Sequence, residues 1–224
     1  MREHKRLTVL CGHYGSGKTN VAVNLAYALK KTNERVTIAD LDIVNPYFRT
    51  KDSSEDFAAR GIDLICSPYA NSNVDIPALP PEMYAITDDK SLTVVLDIGG
   101  DDRGALALGR LAPQIKAEQN YSMLMVINGY RPLTQDAPST LEVMREIEQA
   151  CGIPFTGLVN NSNLGVETTA QHVRDSMVYA REVERMSGIP LVLTTVKEDL
   201  CEELKGEIPD LFPLELQAKI GFSC

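Results

Sequence analysis

Eight residues near the start of the chain, Gly12-His13-Tyr14-Gly15-Ser16-Gly17-Lys18-Thr19, have the types and spacing that hold a polyphosphate. They fit G-x-x-x-x-G-K-[ST], with an apolar run before them and an amphipathic one after. The glycines let successive backbone N–H groups converge on one concavity. The helix that follows adds its unpaired N–H groups and the positive end of its dipole. Lys18 then reaches the β- and γ-phosphates, the Thr19 hydroxyl ligates Mg²⁺, and Asn20 extends the binding stretch into the first turn. The expected ligand is a nucleoside triphosphate with Mg²⁺.

Hydrolysis needs carboxylates as well, placed at the ends of neighbouring parallel strands, where ligands sit in open α/β sheets. Leu92-Thr93-Val94-Val95-Leu96-Asp97, followed by Ile98-Gly99-Gly100, reads as a buried strand ending in one carboxylate and a pliable pair. Asp97 would hold Mg²⁺ through a water, and the glycines would sense the γ-phosphate. Ile38-Ala39-Asp40-Leu41-Asp42, followed by Ile43-Val44-Asn45-Pro46, closes another strand with carboxylates at i and i+2, which strand alternation sends to one side. Asp42 is assigned to orient or deprotonate the attacking water, and Asp40 to catalysis through support of the metal shell.

The elements that must position these groups are legible in the hydrophobic pattern. Short apolar runs rich in β-branched residues alternate with stretches of helical period, the signature of a doubly wound, mostly parallel sheet with helices on both faces. Strands are expected near 7–11, 35–39, 62–66, 92–96, 122–127, 155–159 and 190–194. Val21, Ala22, Leu25, Ala26 and Leu29 form one apolar face of a helix that follows the phosphate loop at once. Further helices fit 104–118, 134–150 and 167–187, the last two ended by Gly152 and Gly188 ahead of Pro154 and Pro190. Residues 67–90 carry four prolines among Ser, Asn and Asp and read as an irregular surface excursion. The 224 residues are 44% hydrophobic, enough for a single P-loop nucleotide-binding domain over 1–224.

Charge and cysteine usage bound the partners. With 22 Lys and Arg against 31 Asp and Glu, the net charge of −9 repels polyanions, so direct contact with DNA or an anionic membrane is not expected. The five cysteines are scattered without a C-x-x-C pair and read as reduced thiols in a cytosol. No run of apolar residues is long enough for a signal sequence or a membrane span, so a soluble, cytoplasmic protein is expected.

The phosphate loop near the N-terminus, the pair Asp40/Asp42 after the second strand, and the Asp97-Ile98-Gly99-Gly100 strand end together resemble the ParA/MinD group of SIMIBI-class, deviant-Walker P-loop ATPases, over nearly the whole chain. The resemblance implies ATP and Mg²⁺ as ligands and an ATP-dependent homodimer. The family's loop reads G-K-G-G-x-G-K-[ST], its first lysine reaching the partner's nucleotide. Here His13 and Tyr14 stand at the matching positions, and that lysine is absent. Either His13 serves as a shorter, pH-dependent cation and Tyr14 stacks at a dimer face, or both fill the loop. The family contacts adenine through an Asn at the end of the sixth strand, which makes Asn160 of Leu158-Val159-Asn160-Asn161 the base-reading candidate. Guanine-specific relatives carry N-K-x-D there, whereas Asn160-Asn161-Ser162-Asn163 has no carboxylate, so ATP is expected over GTP. Residues 190–199 resemble the last strand and the loop beneath the base.

Three functions fit these features. One is an ATP-driven switch or maturation factor read by a protein partner and reset by slow hydrolysis. Another is a metabolic enzyme like dethiobiotin synthetase or an amidotransferase-type synthetase, activating a small carboxylate beneath 67–90, where Tyr69, Asn71, Asn73 and Asp75 would line the pocket. A third is metal delivery through His4, His13 or Cys66. The tail LFPLELQAKIGFSC has a single Lys and no basic amphipathic face, so a MinD-like membrane tail is not expected.

Overall fold

The computed structural model describes residues 4–41, 54–66, 81–100 and 102–216. Asp42, Asn45, Pro46, Cys224 and the expected pocket residues Tyr69, Asn71, Asn73 and Asp75 lie outside them.

The described residues form one eight-stranded parallel sheet in the order β3-β2-β4-β1-β5-β6-β7-β8. Its strands are β1 (Leu7–Cys11), β2 (Val36–Leu41), β3 (Asp63–Cys66), β4 (Thr93–Ile98), β5 (Tyr121–Ile127), β6 (Gly157–Asn160), β7 (Leu191–Lys197) and β8 (Leu211–Leu214). Seven stand where the apolar runs predict them. The eighth, Leu211-Phe212-Pro213-Leu214, is an addition: it is short, it contains a proline, and it is one of the two edge strands, where a missing N–H breaks no interior ladder.

The helices are α1 (Lys18–Lys30), α2 (Ser54–Arg60), α3 (Pro81–Asp88), α4 (Asp102–Gly109), α5 (Ala112–Glu118), α6 (Ala137–Cys151), α7 (Ala170–Ser187) and α8 (Glu198–Leu204). The single helix expected over 104–118 is two, broken at Arg110 and Leu111. Pro113 stands at the start of the second, where its ring cannot continue a preceding turn. α6 begins at Ala137 because Asp136 caps it, accepting from Ser139 N at 2.9 Å. α7 begins at Ala170 behind a capping box made by Thr169 and His172. Gly152 and Gly188 end these two helices in left-handed conformation, as their positions predict. Part of the expected irregular excursion, Pro81–Asp88, is helical.

Two apolar layers enclose the sheet. Leu10, Val36, Ile38, Val95, Val126 and Val159 pack against Val21, Ala22, Leu25 and Leu29 of α1 and Phe57 of α2. Leu7, Val9, Ala39, Leu96, Met125 and Leu158 pack on the other face against α3 to α7, through Met83, Leu108, Ile115, Met144 and Val183. Asn24 of α1 donates to the Glu215 carbonyl and accepts from its N–H, at 2.9 and 2.8 Å, so the chain after β8 is tied to α1. At the other end of the strands, Arg6 is buried against the Ile86, Asp89 and Leu92 carbonyls at 3.0 to 3.1 Å and pairs with Glu118.

Candidate nucleotide site

Strand order creates the site. Chain order runs from β1 outward to β2 and β3, returns with β4 beside β1, and then continues from β5 on the opposite side. The crevice at the carboxyl end of β1, flanked by β4 and β5, is therefore the topological switch point at which open α/β sheets bind ligands. Residues 12–17 fill it.

The loop is closed on itself by Ser16 N–H donating to the His13 carbonyl at 3.1 Å, and Lys18 Nζ reaches the same carbonyl at 3.3 Å. Gly17 has φ +86°, a left-handed conformation that glycine adopts without strain, and this aims α1 into the loop. No side chain caps α1, so the N–H groups of its first turn face the loop mouth. Lys18 and Thr19 are buried, while Tyr14 is exposed and Gly15 and His13 lie on the rim. His13 Nδ1 is 2.9 Å from the Tyr14 carbonyl. Asn20 accepts at its carbonyl from Asn24 Nδ2.

The carboxylates arrive on the same face. Asp40 and Asp97 follow Ile38 and Val95, which pack toward α1, and the two are paired residues of β2 and β4. Both are buried, Asp97 completely. Gly99 and Gly100 then carry the backbone back over the loop: a Cβ on Gly100 would lie 2.6 Å from Tyr14 N, 2.9 Å from Gly12 O and 2.9 Å from Lys18 Nζ. Burial pushes the Cys11 thiol well above its ordinary range, with Cys151 adding to the shift, Lys18 opposing it and Asp97 adding again. Cys11 and Cys151 are buried, while Cys66 and Cys201 are partly exposed, and these four are free thiols.

The residues present suit a bound polyphosphate. Ser16 Oγ is buried and has no hydrogen-bond partner among the described residues, although a buried hydroxyl normally finds one. It lies in the loop that also offers the first-turn N–H groups of α1, so a phosphate oxygen would satisfy it. Among the described residues no group of three or more His, Cys, Asp or Glu side chains gathers for a metal. Mg²⁺ would accordingly take most of its shell from phosphate and water, with Thr19 and Asp97 as the protein's contribution.

Asn160 and Asn161 divide between the two faces. Asn160 is turned toward α7, donating to Ser176 Oγ at 2.9 Å and accepting from Ser162 N at 3.2 Å. Asn161 faces the phosphate loop: its Nδ2 donates to the Ser16 carbonyl at 2.6 Å and its Oδ1 accepts from Thr195 Oγ1 at 2.6 Å. A side chain on Gly17 would collide with that amide. No motif in the sequence marks Asn161 or Arg131, whose Nε donates to the Gly15 carbonyl at 2.9 Å. Beyond them, Lys197, Glu198, Asp199, Leu214, Glu215 and Leu216 line a cleft of about 420 Å³ at the ends of β7 and β8. No described helix is long and apolar enough to cross a membrane.

A phosphate loop at the switch point of a parallel sheet, with a buried Asp on the adjacent strand, defines a P-loop NTPase domain. The chain belongs to the CobQ/CobB/MinD/ParA nucleotide-binding domain family, whose model matches residues 7–173. No curated protein matches it. Among solved structures it is similar to the cell division protein FtsY of Thermotoga maritima, at 15% identity and TM-score 0.58, over 88% of this chain and 64% of that one. It is also similar to chloroplast FtsY of Physcomitrella patens, at 17% and 0.55, over 87% and 59%. A third is the signal recognition particle receptor FtsY of Elizabethkingia anophelis in complex with GDP, at 15% and 0.52, over 88% and 58%. At such identities the likeness is one of fold, and the chain spans about three fifths of the length of those structures.

Proposed function

We propose that this chain is a MgATP-dependent switch that hydrolyses its nucleotide slowly. The observation that carries the reading is the contact of Gly100 with the phosphate loop. The segment directly after the buried Asp97 lies against Tyr14, Gly12 and Lys18, which supports the reading that a γ-phosphate held by Lys18 would meet the Gly99-Gly100 backbone. A loop in that position takes one arrangement with triphosphate and another without it, which is the form of signal a partner reads.

Lys18 and the loop N–H groups hold the phosphates. Thr19 and Asp97 hold Mg²⁺, with Asp40 supporting the shell and Asp42 positioning water. ATP is favoured over GTP because neither Asn160 to Asn163 nor the next residue, Leu164, offers a carboxylate for guanine N1–H and N2–H. Asn161, whose amide bonds the phosphate loop while that of Asn160 bonds Ser176, is the base-contacting candidate of this reading. The GDP seen in one FtsY structure makes the base choice worth measuring directly.

The test is the solution mass of Asp42→Ala protein by light scattering, with MgATP, with MgGTP and without nucleotide. A mass that doubles only with MgATP supports an ATP-dependent homodimer as the switched state. A constant mass, with turnover that depends on an added small carboxylate, overturns the switch in favour of a synthetase.

A further inference from the structure

One cationic side chain reaches the phosphate loop from a distant part of the sequence. Arg131 follows β5 by four residues and donates Nε–H to the Gly15 carbonyl at 2.9 Å. A guanidinium presents five donors in a rigid plane, so four N–H remain once Nε is engaged. These four make no hydrogen bond and no ion pair with any described residue. The Arg131 fork is thus fastened by one edge to the phosphate loop, with its other edge bonded to none of the described residues.

The turn carrying Arg131 is held from several directions. Arg131 N donates to the Asn128 carbonyl at 3.2 Å, and Thr134 N to the Arg131 carbonyl at 3.0 Å. Thr134 Oγ1 donates to the Asn128 carbonyl at 2.8 Å, and Tyr130 N to Asn128 Oδ1 at 3.0 Å. Tyr130 OH pins the turn to the His172 carbonyl at 2.7 Å. Arg131 itself is extended, as a residue before proline prefers. A side chain on so constrained a backbone loses little freedom when a ligand arrives.

The electrostatic need is plain. The chain carries a net charge of −9, with Asp40 and Asp97 buried beside the loop. Lys18 and one Mg²⁺ leave a nucleoside triphosphate short of neutral, and residues 12–19 hold no second lysine. We propose that Arg131 is a phosphate-contacting residue of this site. Braced on Gly15, its terminal amino groups bind outer phosphate oxygens of the triphosphate and stabilise the charge of the transferring γ-phosphoryl group. In that step the bond from water oxygen to the γ-phosphorus forms and the bond to the β–γ bridging oxygen breaks. The nucleoside diphosphate departs with that electron pair, the water proton leaves through a carboxylate, and Arg131 stays protonated throughout. The inference rests on reading the loop as a triphosphate site.

The test is calorimetric titration of the full chain, as wild type, Arg131→Ala and Arg131→Lys, with MgATP and MgADP and in parallel with MgGTP and MgGDP. Single-turnover phosphate release and the melting temperature without nucleotide are measured beside it. Arg131→Ala should lose triphosphate affinity on the order of tenfold, as removal of a charge-assisted bidentate contact does. Diphosphate affinity should change far less, and phosphate release should slow. Arg131→Lys should fall between. Equal loss of triphosphate and diphosphate affinity would mean that Arg131 only braces Gly15 and would overturn the proposal, as would no loss at all. Should Arg131→Ala melt early, Arg131→Lys carries the same comparison. Wild-type protein that binds neither triphosphate defeats the site reading itself, and that result appears before any substitution is made.

Discussion

Asp40 of β2 and Asp97 of β4 are partners in parallel register, so their backbones stand one strand apart, about 4.8 Å, on the face that α1 covers. Two buried carboxylates on neighbouring strands make a locus of negative charge that a divalent cation would compensate. Asp97→Asn keeps the shape and removes the charge. Turnover should fall on the order of a hundredfold, the effect of losing a few kcal/mol of metal-borne charge stabilisation, and the Mg²⁺ needed for half-maximal rate should rise. Asp40→Asn should act in the same direction and less. An unchanged Mg²⁺ titration in the Asp97 variant would place the metal elsewhere.

Lys18 is the one loop side chain with a buried cationic head, reaching the carbonyl of His13 at 3.3 Å. Removing it as Lys18→Ala takes a charge-assisted donor from the phosphates and leaves apolar surface in its place. Triphosphate affinity should drop by at least roughly a hundredfold, about 3 kcal/mol, in calorimetry. An affinity equal to wild type would sink the assignment of this loop.

Gly100 tests whether the segment after Asp97 communicates with the loop. A methyl group there meets backbone at 2.6 Å and Lys18 Nζ at 2.9 Å, distances no Cβ tolerates, so loop or segment must move. Gly100→Ala should therefore weaken triphosphate binding on the order of tenfold while the melting temperature without nucleotide changes by only a few degrees, since the segment lies at the sheet's rim. Wild-type affinity in this variant would show that the two segments are uncoupled, which removes the basis of the proposed switch.

Much of this was legible in the residues because the controlling signals are local. The phosphate loop, α1 and seven strands follow from runs of apolar residues and glycine spacing within a dozen positions. β8 escaped because four residues with a proline carry too little pattern, and the break between α4 and α5 because an apolar face continues across it. Asn161 and Arg131 illustrate a different limit. Which asparagine faces the loop depends on strand parity, and a shift of one residue exchanges the faces. Arg131 meets Gly15 across 116 positions, a contact made by sheet topology with no motif to announce it.

That parity yields its own prediction. Asn161→Ala leaves the Ser16 carbonyl and Thr195 hydroxyl of a buried cluster without their 2.6 Å partners. It should cost about 2 kcal/mol of stability, and it should also weaken nucleotide binding, because Ser16 belongs to the loop. Asn160→Ala, which loses Ser176 on the opposite face, should cost comparable stability but leave the affinity of the folded protein near wild type. The reverse order, with Asn160 controlling affinity, would return the base-reading role to the residue the sequence suggests.

The staple at the far end of the strands sets acid stability. Burial alone would raise the Glu118 carboxyl, but hydrogen bonds and charge from Arg6 and Lys90 outweigh it and hold the group below its ordinary value of 4.5. The folded protein thus keeps this carboxylate charged to lower pH than the unfolded chain does. Its contribution is complete above the ordinary carboxylate pKa and disappears as pH falls through the depressed native value. Glu118→Gln should be less stable than wild type at neutral pH by about 3 kcal/mol, the lower end for breaking a buried pair, because Arg6 retains three backbone carbonyl acceptors. The gap should close on acidification, since the variant has no charge to lose there. Denaturant melts at pH 7 and at about pH 3 measure both values. A gap that stays constant between them would mean that Arg6 and Glu118 contribute through packing alone.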